Sequence, residues 1–382
     1  MNTLHQSPNA ILWSYRHHTV SAEAWGPDSV RVRAGMNAEF QDQNSALLNP
    51  EPVAAHIQEN SDRLTLINGK MRVELHQAGR LRFYNQETGE LLLDEHPTLP
   101  EGPASFLPGR QFRHLQGENY RIRQEFLPQD GEHFYGLGQH PNGRLDLKGC
   151  CFDLFHHNTE FTIPYLVSSR KYGLLWNHPG LGTVELAENR TLWTAESAKQ
   201  IDYWVTTGRQ YTDLLRNYAR ATGFSPMMPD WAAGFWQCKL RYQTQEEVLE
   251  VAREYKKRSL PLDVIVIDFF HWPNMGDWKF DPQYWPDPQR MVSELKALGV
   301  EVMVSVWPTV DASSENFTEM QERGLLIRNE SGFDEMQRFM LRNIEDEHAV
   351  QGAGKIRNYM AFHDATHPEA RQFVWEQLKE TY

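Results

Sequence analysis

Cysteine is scarce in this sequence: three in 382 residues, at Cys150, Cys151 and Cys238. Two adjacent thiols and a distant third make no disulfide framework, so the expectation is reduced thiols in a cytoplasmic protein. Basic residues are also short, 38 Lys and Arg against 51 Asp and Glu, giving a formal net charge of -13 and a pI near 5.7. Polyanions repel such a chain at long range, which argues against nucleic acid or an anionic membrane surface as the main partner. No stretch approaches the ~20 apolar residues of a membrane span. The N-terminus, MNTLHQSPNAILWSYRHH, has no basic segment followed by an apolar run, so no signal peptide is expected.

What is present suits a globular protein of two domains. Hydrophobic residues make up 40% of the chain and charged residues 23%. Aromatics are plentiful, with 12 Trp, 19 Phe and 14 Tyr, and seven of the tryptophans follow Pro226. Large rings fill cores, and a flat ring also covers the C–H face of a pyranose.

The two halves differ in pattern. Residues 1–225 read as a β-sandwich: short alternating runs such as Leu64, Leu66 and Met71, Val73, Leu75 flank Asn68-Gly69, a strong hairpin signal. Further strand-like pieces are Arg80–Tyr84, Glu90–Leu93, Tyr120–Phe126, Phe161–Leu166 and Gly173–Trp176, and helical periodicity begins only near Tyr211–Thr222. Residues 226–382 alternate strand and helix. Gly234–Gln237 is followed by a helix with a Thr244/Glu247 capping box, and LDVIVID (Leu262–Asp268) by a helix with Asp287 as N-cap and Pro288 at its first position. Val300–Val306 is the third strand, and a last helix opens near Thr366-His367-Pro368-Glu369. This grammar means βαβ units and a parallel sheet. With no Gly-rich fingerprint after the first strand, a dinucleotide fold is disfavoured. Polar and aromatic residues crowd the carboxyl ends of the strands, where a TIM barrel builds its site.

Several segments, in order, resemble glycoside hydrolase family 31. PDWAAGFWQCKLRYQTQEEVLE (Pro229–Glu250) resembles the opening of that family's barrel. LPLDVIVIDFFHWPNMGDWKFDPQYWPDPQRM (Leu260–Met291) and VEVMVSVWPTV (Val300–Val310) are similar to its second and third strands. HDATHPEARQFVWEQL (His363–Leu378) looks like the helix start before its nucleophile strand, and FYGLGQ (Phe134–Gln139) and PYLVSSRKYG (Pro164–Gly173) resemble markers of its N-terminal sandwich.

The resemblance implies a galactose-mutarotase-like β-sandwich followed by the first part of a (β/α)8 barrel. It also implies retaining hydrolysis of α-linked xylosides or glucosides by two aspartates, whose carboxyls in such enzymes lie ~5–5.5 Å apart. Both are expected beyond Tyr382, the nucleophile at the end of a fourth strand, so the 382-residue chain is expected to be cut short and inactive alone, with no catalytic residue of its own. Asp268 matches the aspartate that hydrogen-bonds sugar hydroxyls. Trp307, Trp272, Phe270 and Trp236 are candidate aromatic walls of the sugar pocket, each with core packing as its rival role. Strand ends carrying Phe-Phe-His-Trp and Trp-Pro-Thr tilt the expectation towards xylosides. Leu240, where some family glucosidases carry tryptophan, departs from a glucose-specific pattern.

Asp364 matches a family aspartate but would equally cap a helix at Thr366. Asp277, Asp281 and Asp287 read as turn or cap residues. His156, His157 and His363 lack metal-ligand spacing, so no metal and no cofactor is expected. Gly136-Leu137-Gly138, with no Gly-Lys-Ser/Thr after it, reads as a tight turn near the barrel mouth. The expected partner is a small α-linked oligosaccharide or glycoside. Nothing in the sequence excludes a homo-oligomer. The rival class is a non-catalytic carbohydrate-binding protein, disfavoured because an open parallel sheet exposes strand edges and apolar faces.

Overall fold

The structure is a computed structural model that describes residues 3–36, 39–41, 46–97, 108–269, 271–329, 331–340 and 357–382. The chain divides into two compact units, Met1–Pro226 and Met227–Tyr382.

The first unit is antiparallel β. One sheet has eight strands, in the order Thr3–Ser7, Ala10–Tyr15, His18–Ala24, Ser29–Gly35, Ile201–Thr207, Tyr172–Trp176, Phe161–Ser168 and Phe134–Gln139. A five-stranded meander runs from His56–Glu59 to Leu91–Asp94. A second five-stranded sheet orders Arg110–His114, Tyr120–Phe126, Arg190–Ala198, Gly182–Ala187 and Cys151–Asp153. All three sheets feed one buried cluster that includes Val30, Val32, Leu66, Val73, Phe83, Phe126 and Trp193, which makes the unit a β-sandwich. Met71–His76 alternates buried and half-buried residues, as period-two patterning requires. Its hairpin is the expected one, although the two loop residues are Gly69 and Lys70, with Asn68 paired to Met71 and Gly69 at φ +58°.

Ser29–Gly35 alternates valine with arginine, a pattern that suits a strand with its arginines towards solvent. Arg31 is nevertheless 3% exposed, its guanidinium donating to both Asp202 oxygens at 3.0 and 2.6 Å. The pairing supplies what a buried charge needs.

Gly136-Leu137-Gly138 is not a tight turn. It lies within the strand Phe134–Gln139, where the register against Phe161–Ser168 shifts at a bulge. All three residues have positive φ, +104°, +65° and +94°. A Cβ on Gly138 would stand 2.0 Å from the Phe161 carbonyl oxygen, so glycine is the residue that lets the two backbones close together.

In the second unit, Trp236–Cys238, Val264–Ile267 and Glu301–Val304 form a parallel sheet in sequence order. Helices Gln245–Lys257 and Pro288–Ala297 pack on it through Val248, Leu249, Ala252, Met291 and Leu295. The Thr244 side chain caps the Glu247 N–H, but the Glu247 carboxylate reaches back to Gln243 rather than to Thr244 itself. A three-stranded sheet follows that the sequence did not disclose, ordered Thr309–Asp311, Arg357–Phe362 and Gln337–Met340. The last helix, Pro368–Thr381, is N-capped by His367, whose Nδ1 accepts from Glu369 N–H, and buries Ala370 and Phe373. Asp364 is therefore not its cap.

Candidate active site at the strand ends

A run of apolar residues, Val264 to Ile267, ends at Asp268, beyond the last paired position of the second barrel strand. Asp268 is half-buried, and its Oδ1 accepts the Phe269 N–H at 2.8 Å. Cys238, at the end of the neighbouring strand, feels that carboxylate: partial desolvation first, and then Asp268, push its thiol above the usual range.

The chain leaving Asp268 is held from behind. His271 is fully buried, and its Nδ1 lies 3.0 Å from the Asp268 carbonyl oxygen. Because a carbonyl only accepts, Nδ1 carries the proton, and Nε2 accepts from the Tyr382 hydroxyl at 2.6 Å. Burial raises the Tyr382 hydroxyl above its ordinary value, so it remains a donor.

The aromatic residues converge on one side of this turn. Phe269 stacks on Trp307 with ring centroids 5.1 Å apart and planes 24° apart. Trp272 is 2% exposed and stands 6.5 Å from Trp307, in a cluster with Met275 and Met360. Trp307 is held in turn by Trp278, whose buried indole N–H donates to the Trp307 carbonyl at 2.9 Å. Asp268, Trp272 and Trp307 thus share the carboxyl end of the sheet. Trp272 is a packed support there, whereas half-buried Trp307 and Phe269 offer ring surface.

Trp236 is not brought to this group. It pairs with Val264, the first residue of its strand, about 13 Å before Asp268 along the strand direction at ~3.3 Å per residue. Its indole N–H donates to Ala232, and its ring lies against Trp231. Phe270 lies outside the described residues.

The other acidic candidates serve the loops. Both Asp277 oxygens accept main-chain N–H groups, from Asn274 and from Glu315. Asp281 accepts from Gln283, and Asp287 caps its helix at Arg290. Asp364 accepts from the Thr366 N–H and hydroxyl; burial pushes its carboxyl up, and these bonds outweigh it to leave the group below its ordinary value. His363 faces the Pro308 carbonyl, and His156 accepts from Thr162.

His271 and Trp278 escaped the sequence reading. Each acts by holding a carbonyl through a tertiary contact, and no local spacing marks such a role.

The comparisons with known proteins agree with the two architectures. Residues 19–185 match the glycosyl hydrolase 31 N-terminal galactose mutarotase-like domain, and residues 225–382 match the glycosyl hydrolases family 31 TIM-barrel domain. The whole chain is 43% identical to an uncharacterized family 31 glucosidase, ORF2, of Pseudescherichia vulneris, and spans 72% of it. An α-xylosidase of Saccharolobus solfataricus is 38% identical over 226 residues, which are 56% of this chain and 31% of that protein. Among solved structures, a GH31 α-xylosidase from a soil metagenome complexed with xylose superposes with a TM-score of 0.87 at 41% identity. It covers all of this chain, which spans 56% of that one. This chain belongs to glycoside hydrolase family 31.

Proposed function

We propose that this chain supplies the sugar-holding part of an α-glycosidase site, acting on terminal α-xylosides in preference to α-glucosides with retention of configuration. The observation that carries the reading is Asp268 at the end of the second barrel strand, beside the half-buried rings of Phe269 and Trp307. Its carboxylate can accept from adjacent sugar hydroxyls, and a carboxylate acceptor gives the stronger class of hydrogen bond. The rings offer apolar surface to the C–H face of a pyranose. The His271 imidazole fixes the backbone from which Asp268 projects, which limits the reorganisation needed when sugar binds.

On this reading the attacking and proton-donating carboxylates belong to barrel strands other than the three described. The α-xylosidases among its relatives support the xyloside preference.

The test is release of nitrophenol from α-xyloside and α-glucoside, with the protein translated through its whole reading frame. Turnover of the xyloside should be the faster, and Asp268→Ala should lower it by roughly ten- to a hundredfold, the loss of a hydrogen bond to a charged group. Absence of turnover on every α-pyranoside would sink the glycosidase reading, and faster glucoside turnover would reverse the sugar preference.

A further inference from the structure

Asn-Gly occurs twice in this sequence, at Asn68-Gly69 and at Asn142-Gly143. The pair is chemically fragile, because glycine has no side chain to keep its backbone nitrogen away from the carboxamide carbon of the preceding asparagine. Attack of that nitrogen on Cγ closes a succinimide ring and expels the side-chain nitrogen as ammonia. Water then opens the ring at either carbonyl, leaving aspartate or isoaspartate. The reaction needs a carboxamide that can turn onto the next peptide, room for the ring, and access for water.

The structure separates the two sites. Asn68 is 3% exposed, and its Nδ2 donates to the Gly26 and Ser29 carbonyls, each at 2.8 Å. Its backbone is paired with Met71, and Gly69 packs so closely on Asp28 that an added Cβ would stand 2.2 Å from Oδ1. The Asn68 carboxamide cannot turn onto the Gly69 nitrogen without breaking two buried hydrogen bonds.

Asn142 is exposed, in the loop that leaves the bulged strand Phe134–Gln139. Gly143 has open space around it at φ +66°, and its N–H has no hydrogen-bond partner among the described residues. The side-chain bond made here assists the reaction: Asn142 Oδ1 accepts the Arg144 N–H at 3.0 Å. Such an Asx turn folds the carboxamide back over the following peptide. A donor on Oδ1 also makes Cγ more electrophilic, and it leaves Nδ2 to depart into solvent.

We propose that Asn142 is a site of spontaneous covalent modification, converted through a succinimide to isoaspartate and aspartate while the protein is folded. The product has a place to act. Asn142 lies on a hollow of about 350 Å³ whose lining also includes His140, Asp153, His157 and Glu160. Conversion adds a third carboxylate to that lining, and isoaspartate lengthens the main chain by one carbon at its edge. The hollow of an aged molecule therefore attracts cations more strongly than that of a new one. None of this depends on the reading of the barrel.

The experiment is incubation of the folded protein in mildly alkaline buffer, followed by anion-exchange chromatography and peptide mapping by mass spectrometry. Asn142 should convert to isoaspartate in excess over aspartate, and a more acidic form should accumulate. Asn68 should convert at least about tenfold more slowly, since its amide is released only when two buried hydrogen bonds open. In denaturant the two sites should react at similar rates, which shows that folding sets the difference. Asn142→Gln should remove the main acidic form; the side chain is exposed, so the fold is kept. The proposal is overturned if Asn142 keeps its amide, if Asn68 converts as fast in the folded protein, or if aspartate forms without isoaspartate, the mark of direct hydrolysis.

Discussion

Asp268 sits where an apolar strand hands the chain over to a polar loop, and that contrast made it legible. An acid after VIVI cannot be buried without partners, so it had to face a site or solvent. The residues that hold it were not legible. His271 meets Tyr382 across 111 positions, and Trp278 reaches Trp307 across 29. Such contacts exist only once the chain has folded. His178 carries a residue-scale prediction of its own. Burial, partly opposed by the Asp202 carboxylate, lowers its imidazole from 6.5 to about 4. As pH falls, the unfolded chain takes up this proton first, so folding stability drops between about 6.5 and 4. In His178→Gln the thermal midpoint of the first unit should fall less steeply over that window. An unchanged slope would mean that burial does not disfavour the imidazolium there.

At the scale of elements, patterning worked where one face alone is buried. Met71–His76 and Tyr120–Phe126 alternate, and the alternation was readable. It misleads about burial where both faces are covered: Ser29–Gly35 has six buried residues of seven, among them Arg31, whose partner Asp202 is 171 positions away. The sheet after Trp307 was invisible for a similar reason, since Thr309–Asp311 pairs with Phe362–Met360 rather than with a neighbour in sequence. The bulged strand Phe134–Gln139 was misread as a turn because glycines at alternate positions serve both purposes. Its strain gives a test. Gly138→Ala should destabilise the first unit by about 1–3 kcal/mol, the cost of forcing an L-residue into a sparsely populated conformation. The denaturant midpoint should fall with the slope unchanged. A neutral substitution would show that the strand can slide away from Phe161.

For the whole molecule, the order of segments disclosed both architectures, because a β meander and a βαβ alternation differ in period over long stretches. The net charge of -13 makes a further prediction. At pH 7 and ~0.15 M salt, where the Debye length is about 8 Å, the chain should pass through a heparin or DNA column without retention. Retention would reveal a basic face hidden in the overall balance.

The central pairing of the large sheet joins Ser29–Gly35 to Ile201–Thr207. A ribosome adding ~5–20 residues per second needs roughly 10–30 s to make the second strand after the first. For that interval the leading meander has an open edge and no finished core, and the cell must shield it from its neighbours. Shortening this wait by faster translation of the intervening codons, or covering the open edge with a holding chaperone, should raise the soluble yield more than any stabilising substitution in the barrel.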